Sequence, residues 1–254
     1  MFKSLFFALL FFLFLLLNWI YSKYYQKQMD TRTIFLNACN EIATQLNGFK
    51  TLEKGQRLKK ISLDKDIYFE IYFQSSFRND SSSVQFLPHI AIYSKILKKW
   101  QTEQTKNEYS QGLIFGNQIG YLTPYNNWKE WNLAGLSYEK SIIEITENIE
   151  KYILPIFKIF NSKEIAVEFL KNNGTKFNQW SENSISPLDF LLCFSEKDTA
   201  EVFLNNFVNN CPYKGNILKL YEKLKTENEI DLNSSEFHGA NTIKLAYVNG
   251  LKIK

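Results

Sequence analysis

Two histidines, three cysteines and a scatter of carboxylates are the side chains of this 254-residue chain that could do chemistry. His89 and His238 lie far apart, and neither has a Cys, Asp or Glu at the spacing that metal ligation from one helix or hairpin requires. No metal and no cofactor is therefore expected. His89 sits in the middle of an alternating segment, PHIAIY, where a hydrogen-bonded sheet histidine facing away from the isoleucines is the bland reading, and His238 stands in a polar stretch, EFHG. Glu144, Glu147 and Glu150 run along a helix opposite an isoleucine stripe, which is how a solvated face reads. The chain contains no G-x-S-x-G elbow, phosphate-cradling glycine loop, H-E-x-x-H pair or neighbouring Cys and His. No catalytic residue is assigned and a non-enzyme is expected. The alternative is a membrane-surface hydrolase or transferase built from dispersed groups around His89, Arg78 and Gln74.

Recognition is better served than reaction. The segment YNNWKEW at 125–131 places Trp128 and Trp131 in a polar loop, where tryptophan is the residue type that most often anchors a protein interface; the alternative is that the two rings close the edge of a small core. A second polar cluster, FQSSFRN at 73–79, sets Gln74 and Arg78 at the end of a strand. Trp128, Trp131, Gln74 and Arg78 are the candidate partner-binding residues. Cys39, Cys193 and Cys211 are an odd number in a chain too long to need a disulfide framework, so free buried thiols are expected.

The elements that carry these groups follow from periodicity. Asp30 and Thr31 can cap a helix whose apolar residues Ile34, Phe35, Ala38, Ile42, Ala43 and Leu46 recur at helical spacing and which Gly48 stops. Residues 66–74, DIYFEIYFQ, alternate Ile67, Phe69, Ile71 and Phe73 against Tyr68, Glu70, Tyr72 and Gln74, the period of a half-buried strand. Residues 57–63 read as its antiparallel partner and 84–93 as a third strand, with Pro88 expected at an edge or bulge because it cannot donate to a ladder. A basic-faced helix over 94–107 and further short strands over 112–122 follow. From Ser137 the isoleucines 142, 145, 149, 153 and 156 recur at helical spacing, and Pro155 requires a kink or break near residue 154. Asn161 opens a capping-box-like pattern for a helix ending near Gly174. Residues 175–185 form the boundary to a tail of short helices at 187–194, 198–209, 213–225 and 241–248.

Residues 5–21, LFFALLFFLFLLLNWIY, reach the roughly 17-residue lower limit for crossing a hydrocarbon core, with Lys3 and Lys23 able to extend to either surface. The partner expected here is the lipid bilayer, through a single uncleaved span. A cleaved signal and a start at Met29 are the alternatives, and no small-x-small cleavage site is visible. The flanking charges lean slightly toward a cytoplasmic domain without deciding the side. The net charge of +4 is spread along the chain, so no nucleic-acid surface is expected.

The order of these features resembles a bacterial family of domains of unknown function, number 4304, over roughly residues 30–172. An amphipathic helix ends in Gly48, Phe49 and Lys50; a strand ends in Phe73, Gln74, Ser75 and Ser76; and a helix breaks at Pro155 before a second one capped at Ser162. The resemblance implies an α+β fold and no established catalysis, with some relatives looking like immunity or interaction proteins of toxin systems. The expected architecture is an N-terminal transmembrane segment in 1–28, an α+β domain in 29–174 whose antiparallel sheet packs against helices, and a small helical C-terminal region in 175–254. The expected role is a membrane-anchored, non-enzymatic module that binds a protein partner, an immunity factor being its specific form.

Overall fold

The structure, a computed structural model, describes residues 12–20 and 30–254. It is α+β, with one sheet of six strands among the described residues. The strands are β1 (Lys50–Leu52), β2 (Arg57–Ile61), β3 (Ile67–Ser75), β4 (Gln85–Ser94), β5 (Leu113–Gln118) and β6 (Trp131–Asn132). They are ordered β1-β2-β3-β4-β5, and β6 also pairs with β4. The helices are α1 (Thr31–Gln45), α2 (Lys95–Thr105), α3 (Ser137–Asn148), α4 (Leu154–Ile159), α5 (Lys163–Asn173), α6 (Leu188–Phe194), α7 (Lys197–Asn210), α8 (Lys214–Leu224) and α9 (Ala240–Val248).

Contacts divide the chain into two compact units. One comprises the described residues up to Leu58 with Tyr72–Pro88 and Glu130–Glu147; the other comprises Lys59–Ile71, His89–Lys129 and Asn148–Lys254. In the first, Asp30 caps α1 by accepting from the Thr33 N–H at 2.8 Å, and the buried face of α1 contributes Ile34, Phe35, Ala38, Cys39 and Ile42. The Phe86 ring meets Phe35 at 5.2 Å and Phe73 at 4.9 Å between centroids, the tilted packing that aromatic quadrupoles favour. In the second unit, Phe69 stacks on Phe157 at 4.8 Å, and Phe177 gathers Phe115, Phe160 and Phe169 around it.

The period-two reading of β3 holds for its inward face, where Ile67, Phe69, Ile71 and Phe73 are all buried, but Glu70 of the opposite face is buried as well and pairs with Lys59 at 3.5 Å. β4 departs from simple alternation, since Phe86 through Ile92 are buried on both faces, His89 included. Pro88 lies neither on an edge strand nor in a bulge. Val84 donates and accepts on the β6 side of β4, and period two then turns the Pro88 nitrogen to that side as well. There β6 pairing has ended at Phe86 and β5 pairing begins only at His89, so no ladder bond is lost.

Two terminators differ in detail from expectation. Pro155 is accommodated by a π-helical turn, Ile149–Ile153, closed by a bond from the Leu154 N–H to the Ile149 carbonyl, and the helix resumes at α4. The cap of α5 is Ser162 and not Asn161: the Ser162 hydroxyl accepts from the Ile165 N–H and donates to Glu164. All three cysteines are free, Cys39 and Cys211 buried and Cys193 half-buried. Burial pushes the Cys39 thiol up to about 12 and the Cys193 thiol to about 11.

Among the described residues no helix is long and apolar enough to cross a membrane. The transmembrane helix expected over 5–21 falls partly outside the described residues. The part that is described, 12–20, is helical and exposed along its whole length.

Candidate functional site

The segment that follows β5 departs from the expected run of short strands. After Gln118 the chain tightens into a 3-10 turn, Ile119–Leu122, and returns through an exposed loop to Lys129. One side chain dictates this path. Gln118, only 3% exposed, donates from Nε2 to the Lys129 carbonyl at 2.6 Å. Its Oε1 accepts from the Gly120 N–H at 2.7 Å and the Lys129 N–H at 3.3 Å. A carboxamide thus satisfies main-chain groups at both ends of the loop, as a neighbouring strand would. The position of Gly120 admits no side chain, because a Cβ there would lie 2.3 Å from the Asn127 carbonyl oxygen and 2.7 Å from Gln118 Oε1. Thr123 closes the turn by donating its hydroxyl to the Gly120 carbonyl at 3.0 Å.

The loop so held presents two aromatic rings. Trp128 is 47% exposed and Tyr125 37%, with the Lys129 ammonium 4.5 Å above the Tyr125 ring. Beneath Trp128 lies His89 of β4, edge-on at 5.6 Å between centroids and 65° between planes. His89 is 7% exposed, and its burial holds the imidazole below its usual range, so it is neutral at neutral pH.

Trp131 is a different case and corrects the expectation that both tryptophans anchor a partner. It is 2% exposed, pairs with Phe86 in the sheet and donates its indole N–H to Glu144 at 2.8 Å. Asn132 beside it accepts from the Val84 and Ala134 N–H groups, which fixes β6 on β4 and turns the Trp131 ring into the core. Gln74 and Arg78 belong to the same unit as Trp131 and are both exposed. The Arg78 guanidinium lies 5.1 Å over the ring of Phe77, itself 91% exposed, and Asn79 holds the hairpin by donating to Ser75. His89, the third member of the enzymatic alternative, belongs to the other unit and is enclosed.

Asp64, Asp66 and Lys163 form a group of titratable side chains that serves as a set of caps. Asp66 accepts from the Ser94 hydroxyl at 3.0 Å and from the Ile96 N–H at 2.9 Å, which tethers the first turn of α2. Lys163 bridges Asp64 at 2.9 Å and Asp66 at 3.6 Å. The Ser62 hydroxyl, with the Lys163 ammonium beside it, holds the Asp64 carboxyl down at about 2. Both carboxylates are occupied in holding main chain or lysine. Among the described residues no group of three or more His, Cys, Asp or Glu could hold a metal ion.

Sequence reasoning singled out Trp128 but missed the Gln118 and Gly120 that hold it. The signal was the NQIG stretch, a glutamine two residues before a glycine, which can cap a tight turn. Residues 45–159 match the family described as Domain of unknown function (DUF4304). The match takes in Gly48, Phe49, Lys50, the Gln74–Ser76 strand end and Pro155, and stops short of Ser162. No curated protein and no solved structure matches the chain.

Proposed function

We propose that the chain, whose residues 45–159 match a domain family of unknown function, is a membrane-tethered protein-binding module that engages its partner through the Trp128 loop. The observation that carries the reading is a half-exposed tryptophan on a loop already held in place by a buried glutamine. A binding loop ordered before contact loses little conformational freedom on docking, and a large rigid ring buries much apolar area per immobilised bond. Tyr125 and Lys129 beside it supply the polar margin that surrounds such an anchor. Support for the tether comes from the apolar stretch 5–21 and from residues such as Phe12, Phe14 and Leu17, which lie well exposed on the helical stretch 12–20. Lipid is the solvent that suits them.

Affinity capture of the full chain from detergent extracts, with and without Trp128→Ala, tests the loop. Loss of the captured partner is expected, and undiminished recovery refutes it. Recovery of the intact full-length chain from the aqueous fraction after carbonate washing refutes the tether. A toxin is the partner to test first, since the family resemblance implies immunity proteins among the relatives, and failure of the chain to protect cells from a toxin encoded beside it removes that form of the reading.

A further inference from the structure

Helix α7 carries asparagine in two adjacent rows, Asn205 with Asn209 and Asn206 with Asn210. The first row already holds polypeptide. Asn205 Nδ2 donates to the Lys252 carbonyl at 2.8 Å, and its Oδ1 accepts from the Lys254 N–H at 2.7 Å. One turn earlier, Glu201 accepts from the Lys252 N–H at 3.1 Å. A carboxamide sets one donor beside one acceptor, the complement of the C=O of one residue and the N–H of the next but one along the edge of an extended chain. Residues 252–254 are therefore held along their main chain, and the Lys254 ammonium adds an ion pair to Glu201 at 3.4 Å.

The second row lines a cleft of 260 Å³. Phe203 and Phe207, both buried, lie along it, and Asn172 and Asn183 contribute to its walls with Asn206 and Asn210. Among the described residues the carboxamides of Asn183 and Asn206 have no hydrogen-bond partner. The pitch is right for a strand: residues four apart on a helix are separated by about 6 Å along its axis, and two residues of extended chain by about 6.7 Å. Successive carboxamides on α7 can thus meet successive main-chain pairs of one segment.

We propose that this cleft binds an extended polypeptide segment through its main chain, with Asn206 and Asn210 making the paired contacts. The lining is rich in neutral donors and acceptors, as peptide groups require. Sugar hydroxyls could use the same groups, but the pitch and the Asn205 precedent favour a polypeptide. The cleft shares no residue with the Trp128 loop, so this site stands or falls separately from the function proposed above.

The test pans the full-length chain in detergent micelles against a phage-displayed random dodecapeptide library, then titrates the enriched peptides by fluorescence anisotropy. Enriched peptides should bind Asn206→Ala and Asn210→Ala at least tenfold more weakly, and lose as much when one of their own central amides is N-methylated. Trp128→Ala should leave their binding unchanged. Asn206→Asp, which keeps the shape and removes the donor, should weaken them like alanine at this exposed position. Absence of enrichment, peptides indifferent to Asn206→Ala and Asn210→Ala, or binding confined to a glycan array would each overturn the proposal.

Discussion

Replacing Gln118 with leucine removes the polar atoms that hold the Trp128 loop while keeping most of the buried volume. Three hydrogen bonds disappear: Oε1 to the Gly120 and Lys129 N–H groups, and Nε2 to the Lys129 carbonyl. Gly120 is buried, and stranding a buried main-chain N–H costs about 1–3 kcal/mol. Lys129 is only half-buried, so its two groups can turn to water and their loss adds roughly 0.5–1 kcal/mol each. The sum, about 2–5 kcal/mol, falls on local opening of the loop more than on global unfolding. At about 1.4 kcal/mol per decade, amide exchange over residues 119–129 should accelerate roughly 30- to 4,000-fold. Hydrogen–deuterium exchange read by mass spectrometry measures this directly. A change below about threefold would mean that the loop holds its shape without Gln118, and the preorganisation argument for Trp128 would fail with it.

The two tryptophans should separate cleanly in urea titrations: Trp131→Ala opens a cavity in the core and loses the Glu144 bond, costing about 3–5 kcal/mol, whereas Trp128→Ala should cost under about 1 kcal/mol. Gly120→Ala should lower the thermal midpoint by several degrees, because its Cβ collides with the Asn127 carbonyl. Gly215→Ala, with nothing within 4 Å of the added carbon and a helical position, should be neutral or slightly stabilising. Acid should weaken the fold in two windows. His89, held neutral by burial, contributes stability that is complete above its unfolded value of about 6.5 and lost as pH falls below it, so His89→Gln should flatten that limb of the profile. Asp64 contributes stability present above about pH 4 that disappears as pH falls toward about 2, and Asp64→Asn should remove that part.

Local order was readable where local patterns dictate structure. The inward face of β3 and the helical spacing of α1 are dictated within a few residues, and both appear as expected. What could not be read is long-range. Trp131 looks like an anchor in a polar loop until a two-residue strand pairs it with Phe86, 45 positions away, and closes the core over it. Gln118 reads as an ordinary strand-end polar residue because its partner, Lys129, returns only after an eleven-residue excursion. Pro88 points to an edge in any one-dimensional reading, and only the handover between β6 and β5 shows why an inner strand tolerates it. The asparagines of α7 are unremarkable in composition until residues 252–254 are seen lying across one of them.

The protonated state of the three cysteines has a practical corollary. A thiol kept neutral by burial neither attacks disulfides nor reacts readily with oxidants, and no sulfur–sulfur bond contributes to this fold. Its integrity is therefore indifferent to the electron balance of its surroundings. Preparations made with and without dithiothreitol should be the same molecule, and a covalent dimer on a non-reducing gel would report that the chain had opened first.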